Sequence, residues 1–281
     1  MYKNMGLINK NFGHVEFIYD EGSSGEDSYI IENNIFGVFD GFSGFDNFID
    51  PEGKTGGFLA SQTVKEAFSG HDGELKKLAE VANDKIRQKM LAANIDLTSK
   101  TNLWGTTAAV VRMNENYFEW LQTGDSLIFV INIDGSFKFL VKHYDHDKEV
   151  LMIWKQLADK KEKDIKPVIA GGPLIELRKK ANVEYGALNG EAEAVSFLKS
   201  GIVDVSDITH IVIFTDGLFI PKEDPAADYD WKMFVKLYQE GGLRGVVDYV
   251  RCMEENDPYC WKYPRYKQFD DITAISISRK N

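Results

Sequence analysis

Four aspartates stand beside short apolar runs, at positions typical of strand ends. They are Asp40 in "GVFDGFSG" (residues 37–44), Asp125 in "QTGDSL", Asp216 in "IFTDGL" and Asp270 in "QFDDIT". One such aspartate is explained by a turn. Four carboxylates at one edge of a sheet pair would repel one another unless cations neutralised them, and a set of oxygen ligands suits Mg²⁺ or Mn²⁺ better than zinc. Spacing alone leaves a set of turns and a metal site both open.

The elements that must position these aspartates begin as three short strands, "HVEFIY", "SYIIEN" and "IFGVFD", which are rich in β-branched and aromatic residues. Apolar residues then recur at helical spacing between residues 56 and 97, which predicts two helices with a break at 69–73. Four strand candidates follow: "TTAAVVRM", "NYFEWLQTG", "SLIFVIN" and "SFKFLVK". Short polar turns join them, so we expect an antiparallel meander.

The second half of the chain contains further predicted helices and strands, and no internal repeat is found. An amphipathic helix is predicted over 148–161, with Leu151, Trp154 and Leu157 packing in a core rather than binding a partner, and loops are predicted over 163–190. "HIVIFTDG" and "DITAISIS" are strands, and two helices are predicted within 226–255. Strands in runs and helices in pairs favour an α+β fold with antiparallel sheets, formed by a single domain over residues 1–281.

Composition restricts the partners and the compartment. The net charge of -11 over 281 residues disfavours nucleic acid and anionic membranes, which reward clustered Lys and Arg. The two cysteines, Cys252 and Cys260, form no metal-type pair, and so few cysteines are typical of a reduced protein. The first residues lack a signal-peptide core, and no uninterrupted run is long enough to span a membrane. We therefore expect a soluble cytoplasmic protein.

Six short motifs occur in a characteristic order: "GEDSY", "GVFDGFSG", "GTTAAVV", "TGDSLIF", "FTDGL" and "DDITAI". In this order they resemble the PPM family of metal-dependent protein serine/threonine phosphatases (the 2C type), in particular its compact bacterial members. The resemblance extends from residue 13 to residue 278. It implies an αββα sandwich, in which two central antiparallel sheets are flanked on each side by a pair of helices. The helix pairs predicted from periodicity agree with that architecture.

The resemblance also implies a role for each acidic landmark. Asp40 would bridge two metal ions, the carbonyl of Gly41 would bind one of them, and Asp216 and Asp270 would complete the other. These three aspartates would be the catalytic residues. The cofactors implied are two Mg²⁺ or Mn²⁺ ions.

Three further positions complete the implied site. Glu26 would hold metal-bound water with Asp27 behind it, and Asp125 would bind a third, weaker ion. The implied reaction is hydrolysis of phosphoserine or phosphothreonine in proteins by a water that bridges the two ions. The implied substrate is a phosphorylated protein, such as a kinase or the target of one.

The chain departs from the family pattern at two positions. Gly22 stands where many members carry a phosphate-gripping arginine, so Arg265 and Lys267 are the predicted substitutes, although both could be solvated loop charges. Phe42 replaces a histidine thought to act as general acid, and "HYDHD" (residues 143–147) offers other histidines if it is not simply a polar loop. These departures keep two alternatives open: a weak or inactive phosphoprotein-binding regulator, and a phosphatase of small metabolites.

Overall fold

The structure is a computed structural model that describes residues 11–162 and 164–280. The single domain predicted over 1–281 extends beyond these residues at both termini and at residue 163, and it stays a prediction. In the described part, most strands form two five-stranded antiparallel sheets. Sheet A contains, in spatial order, β1 (Phe12–Asp20), β12 (Ile272–Arg279), β11 (Ile208–Phe214), β8 (Leu127–Asn132) and β9 (Phe137–Phe139). Sheet B contains β10 (Lys199–Asp204), β7 (Tyr117–Thr123), β6 (Ala108–Met113), β3 (Ile35–Phe39) and β2 (Ser28–Glu32).

The two sheets pack face to face through a core of aliphatic side chains. Alternate residues of each strand point to this interface, as the two-residue period of a strand requires. In β3, for example, Phe36 and Val38 join the core between the sheets, whereas Ile35 and Phe39 face the other side. Because both faces of β3, β6 and β8 are covered, these strands are almost entirely apolar, apart from Arg112 and Asn132, and this made them recognisable in the sequence.

Helices cover the outer face of each sheet, so the predicted αββα sandwich is confirmed. On sheet B lie α1 (Gly56–Phe68) and α2 (Leu75–Ala92). Sheet A is covered by α7 (Trp231–Glu255), in which the non-helical Gly242 separates two helices, as predicted within 226–255. Gly242 has φ +64° and breaks α7, and the backbone N–H of Leu243 then donates to Glu16 at 3.0 Å, which caps the second half.

A group of short helices beside the sandwich corrects the predicted loops over 163–190. It comprises α3 (Lys148–Asp159), α4 (Ile165–Ala170) and α5 (Pro173–Lys179), with α6 (Ala194–Phe197) further along the chain. Trp154 is 2 % exposed, and its indole N–H donates to the carbonyl of Cys260 at 2.7 Å. The apolar stripe of α3 therefore packs in a core, as predicted.

The predicted meander is wrong at its centre. β6 pairs with β7 and β8 pairs with β9, but β7 belongs to sheet B and β8 to sheet A. The chain thus crosses from one sheet to the other through residues 124–126, where Gly124 has φ +72°. The strand β10, which pairs with β7 at the edge of sheet B, was not predicted. A two-stranded ladder of β4 (Gly41–Phe42) and β5 (Gly105–Thr106) extends the fold beside α1.

Both cysteines are free, and Cys260 is buried. Of the helices in the described ranges, none combines the length and the apolar character that crossing a membrane requires.

Candidate active site

Strand register brings three of the four aspartates to one edge of sheet A. Phe214, the last residue of β11, lies opposite Leu127 at the start of β8 and opposite Ala274 near the start of β12. The residues just outside these strand ends therefore meet at the same edge. They are Asp125, Asp216 and Asp270.

Sheet B delivers the fourth aspartate to the same place. Val38 of β3 lies opposite Ala109, and the adjoining residue of β6 lies opposite Thr123 at the end of β7. Asp40 leaves the end of β3 here, and its carbonyl accepts a hydrogen bond from Thr107 at 2.9 Å. The two sheet edges enclose a cavity of about 280 Å³. Its acidic lining comprises all four aspartates together with Glu26 and Asp147.

Two carboxylates of this cavity, those of Asp40 and Asp216, are destabilised in their ionised form. Burial raises the pKa of Asp40 well above its usual range, and repulsion from Asp216 adds to the rise. Burial likewise raises the pKa of Asp216, with further contributions from Asp125 and Asp270. Such a cluster lowers its free energy by binding cations.

Asp270 and its neighbour Asp271 have different roles in the site. Asp271 lies outside the cavity lining and accepts hydrogen bonds from the backbone N–H groups of Gly22, Gly25 and Glu26 at 2.9, 3.0 and 2.7 Å. Although burial disfavours its charged form, these N–H donors lower the pKa of Asp271. Asp271 therefore fixes the loop that carries Glu26, and Asp270 is left facing the cavity.

Glu26 is held at the wall of the cavity by two hydroxyl groups. Its Oε1 accepts hydrogen bonds from Ser43 and from Thr55, the latter at 2.5 Å. Thr55 also caps α1, so the helix start and the glutamate share one anchor. A Cβ added to Gly57 would lie 2.6 Å from Cδ of Glu26, so only glycine leaves room for this carboxylate.

Asp27 is buried beneath the cavity and does not line it. Its Oδ2 accepts hydrogen bonds from Thr215 at 2.9 Å and from Thr273 at 2.7 Å, and its Oδ1 has no hydrogen-bond partner among the described residues. Burial raises the pKa of Asp27 to about 7. Since the two threonines adjoin β11 and β12, Asp27 joins the strand ends that carry Asp216 and Asp270.

Asp125 forms a second cluster with two residues of the "HYDHD" stretch. One ligand atom from each of Asp125, His146 and Asp147 lies within 4.8 Å of the others. His146 Nε2 lies 3.6 Å from Asp125 Oδ2, and its ring stacks on Tyr185. Although burial disfavours protonation, Asp147 and Asp125 raise the pKa of His146. Asp125 Oδ1 is buried, and no hydrogen-bond partner for it occurs in the described part of the chain. The sequence analysis considered this stretch as a source of a general acid or as a polar loop, and not as part of a metal site.

The two predicted phosphate ligands differ in their surroundings. Lys267 lines the cavity, and its Nζ donates to Asp270 at 2.7 Å and to Ser24 at 2.9 Å. Although burial disfavours its charged form, Asp270 and Asp40 raise the pKa of Lys267 above its usual value. This ammonium group offsets part of the negative charge of the site.

The contacts of Arg265 contradict its predicted role as a phosphate ligand, because all of its N–H donors are used within the protein. Nε donates to Gln268, and Nη1 donates to the Asp257 carboxylate at 3.0 Å and to the carbonyl of Tyr263. Nη2 donates to the carbonyls of Glu254 and of Asp257. The guanidinium group thus fastens the loop between α7 and β12.

Arg178 is a cavity residue that the sequence analysis missed. It lies on α5, within the stretch predicted as loops, and for this reason it was not predicted as a site residue. The sequence did contain a signal, since "PLIELRKK" begins with a proline and places Leu174 and Leu177 at helical spacing. Its guanidinium lies 4.2 Å from the centre of the Phe42 ring.

The fold and this edge define a class: a four-layered αββα protein with a carboxylate-lined cavity where the strand ends of both sheets meet. Within that class, the chain belongs to the protein phosphatase 2C family, whose family model matches residues 32–248. No curated protein sequence matches the chain.

Solved structures share this fold at low sequence identity. PppA, described as a key regulatory component of T6SS in Pseudomonas aeruginosa, has a TM-score of 0.56 at 14 % identity, with 95 % of this chain and 97 % of that chain covered. The catalytic domain of the serine/threonine phosphatase PstP, in complex with two manganese ions, has 0.54 at 18 %, covering 95 % and 98 %. RsbX in complex with magnesium has 0.52 at 13 %, covering 100 % of each chain.

Proposed function

We propose that this protein is a metal-dependent phosphatase that hydrolyses phosphoserine or phosphothreonine in proteins, with two Mg²⁺ or Mn²⁺ ions as cofactors. The observation that carries the proposal is the convergence of Asp40, Asp216 and Asp270 on one cavity. Membership of the protein phosphatase 2C family supports it, as do the manganese and magnesium ions of PstP and RsbX.

The residues of the cavity fit such ions. Their ligand atoms are hard oxygens, which Mg²⁺ and Mn²⁺ prefer, and the two cysteines lie outside the cavity. The raised pKa values of Asp40 and Asp216 indicate anions that lack counter-charge. Asp40, the Gly41 carbonyl, Asp216 and Asp270 would hold the two ions, and Asp125 a third. When bound, such ions neutralise phosphoryl charge and lower the pKa of a coordinated water.

The remaining residues of the site position the reacting groups and neutralise negative charge. Glu26, fixed by Ser43 and Thr55, presents an acceptor at the cavity wall that can orient a water. Asp271 keeps the loop of Glu26 in place, and Lys267 holds Asp270 while adding positive charge. Phe42 carries no titratable proton. The leaving serine or threonine oxygen would therefore take its proton from solvent or from a group other than residue 42.

The proposal is tested by measuring phosphate release from a phosphothreonine peptide with Mn²⁺, Mg²⁺ or a chelator. We expect metal-dependent phosphate release by the native protein. In Asp40→Asn the rate of release should fall at least about 100-fold, since this change removes a carboxylate that would hold both ions. Asp248→Asn is the matched control, because this aspartate is 69 % exposed on α7 and pairs only loosely with Arg244.

Other outcomes separate the alternatives. Release from small phosphate esters but from no phosphopeptide would indicate a metabolite phosphatase. Mn²⁺ binding without any hydrolysis would indicate a phosphoprotein-binding regulator. Absence of Mn²⁺ binding to the native protein would overturn the proposed function.

A further inference from the structure

Arg178 is a half-buried cation of the cavity, and within the described residues it forms no ion pair with a carboxylate. Its Nη1 is shielded from solvent and has no hydrogen-bond partner, and no hydrogen bond or ion pair of its side chain occurs among residues 11–162 and 164–280. Buried charged groups are almost always paired, because desolvation without compensation is costly. Burial accordingly lowers the pKa of Arg178 below its usual value. The guanidinium group can therefore bind an anionic ligand from outside the protein.

The position of Arg178 is fixed by aromatic contacts rather than by hydrogen bonds. The guanidinium lies 4.2 Å from the centre of the Phe42 ring and 5.6 Å from that of Phe45. Phe42 in turn lies against Gly105, where an added Cβ would come within 2.7 Å of its ring. A guanidinium positioned by contact with aromatic rings, rather than by hydrogen bonds, keeps its N–H donors available for the two oxygens of an anion.

The other cation of the cavity is already engaged. Lys267 donates to Asp270 and Ser24, so its charge balances the acidic cluster. Arg265, near the same edge, has all its donors in use. In the described part of the chain, Arg178 therefore differs from Lys267 and Arg265 in that its side chain makes no hydrogen bond or ion pair.

The place where an arginine was expected is closed. A Cβ added to Gly22 would lie 2.4 Å from both the carbonyl carbon and the oxygen of Asp270. These are backbone atoms next to β12, so they cannot turn aside as a flexible side chain would. Any side chain at residue 22 would displace the start of that strand, and a phosphate-binding cation has to come from another element.

Resting on the proposed phosphatase function, we propose that Arg178 is the phosphate-binding residue of this site, positioned by Phe42 and hydrogen-bonded to phosphoryl oxygens of the substrate. Arg178 and the four aspartates line the same cavity, so a phosphomonoester held by the arginine lies beside the residues that would bind the ions. The fork of an arginine matches two oxygens of a phosphate, which gives the group a fixed orientation as well as charge compensation.

The test measures phosphate binding separately from turnover. Inorganic phosphate is titrated into Mn²⁺-loaded protein by calorimetry, and it is also used as a competitive inhibitor of phosphothreonine-peptide hydrolysis. In Arg178→Gln we expect the phosphate dissociation constant and the KM to rise about 10- to 100-fold, with a smaller change in kcat. Arg178→Lys, which keeps the charge but lacks the fork, should recover part of the loss.

Lys179→Gln is the matched control, since it removes one positive charge at the next residue of the same helix. Lys179 is 53 % exposed and pairs with Glu176, so phosphate binding should stay at the native value. Should Arg178→Gln fail to fold, Arg178→Lys is compared with the native protein alone, and a rise of at least about threefold in the phosphate dissociation constant is expected.

The outcomes distinguish this inference from the proposed function. Equal phosphate affinity in the native protein and Arg178→Gln overturns the role of Arg178, whether or not the protein hydrolyses the peptide. A native protein that binds phosphate through Arg178 but releases none from the peptide sustains the inference and rejects the phosphatase activity. Failure of the Mn²⁺-loaded native protein to bind inorganic phosphate rejects the inference.

Discussion

The backbone N–H of Glu26 donates a hydrogen bond of 2.7 Å to the carboxylate of Asp271, a residue 245 positions further along the chain. The same carboxylate accepts from Gly22 and Gly25. One side chain at the start of β12 thereby determines where the loop of residues 22–26 lies, and with it the wall of the cavity that Glu26 forms.

Replacing Asp271 should therefore loosen that wall. In Asp271→Ala the buried N–H donors lose their acceptor, and we expect the free energy of unfolding to fall by about 2–4 kcal/mol. Asp271→Asn keeps one acceptor oxygen and should lose less. Urea denaturation of both variants, with Mn²⁺ titrations to follow the cavity, is the measurement. Equal stability of the native protein and the alanine variant would contradict the anchoring role.

Arg265 should matter for stability rather than for substrate binding. Arg265→Lys loses most of the hydrogen bonds that fasten the loop after α7 and leaves Asp257 with a weaker partner. We expect a decrease of about 2–4 kcal/mol in the free energy of unfolding, with inhibition by inorganic phosphate changed by less than about threefold. Weaker phosphate inhibition in a variant of unchanged stability would instead restore the role predicted from the sequence.

His146 should influence the ion bound at Asp125. The imidazole lies 3.6 Å from Asp125 Oδ2, as a ligand or as a neighbouring charge. Calorimetric Mn²⁺ titration of His146→Gln should show the weakest binding step altered by about 10-fold, with the tighter steps retained. His71→Gln, which changes an exposed histidine on the far side of α1, serves as control. A titration curve identical to that of the native protein would exclude His146 from this site.

His143 should make the protein less stable in mild acid. Burial among Phe219, Tyr229 and Trp231 lowers the pKa of His143 to about 4, whereas an unfolded histidine has a pKa of about 6.5. Between these values the unfolded chain binds the proton and the folded chain does not, so stability falls as the pH is lowered from about 6.5 towards 4.

The size of this effect is measurable against a matched variant. Comparing denaturation at pH 7.5 and pH 5, we expect the His143 contribution to the loss of stability to be about 1–2 kcal/mol. His143→Phe preserves an aromatic ring but cannot titrate, so its stability should decline less over the same interval. Parallel pH profiles of the two proteins would show that this histidine is not the titrating group.

The sequence predicted those features that depend on local pattern and order. Buried strands such as β3 and the second half of β11 are apolar runs, and the order of the motifs grouped Asp40, Asp125, Asp216 and Asp270 as one predicted site. The change of sheet at residues 124–126 was missed, because a short Gly-Asp turn looks the same whether the next strand pairs with the last one or leaves for another sheet.

The rest could not be predicted because it depends on side chains far apart in the sequence. Arg265 has the residue type and position of a phosphate ligand, but its five donors meet acceptors that only the folded loop supplies. Arg178 and Phe42 are 136 positions apart and come together only where α5 lies against β4. No spacing rule connects these two residues.

The place of β12 in sheet A has a consequence for how the chain folds. This strand, formed by residues 272–279, lies between β1 at the other end of the described chain and β11, so it must insert between two partners rather than add to an edge. Pairing over such sequence separations slows folding. Asp270 directly precedes this strand, so its carboxylate joins the other acids of the cavity when β12 pairs with β11. Divalent cations should accelerate folding if they already bind Asp270 together with the other cavity acids in the transition state. If they bind only after the transition state, they should slow unfolding and leave the folding rate unchanged.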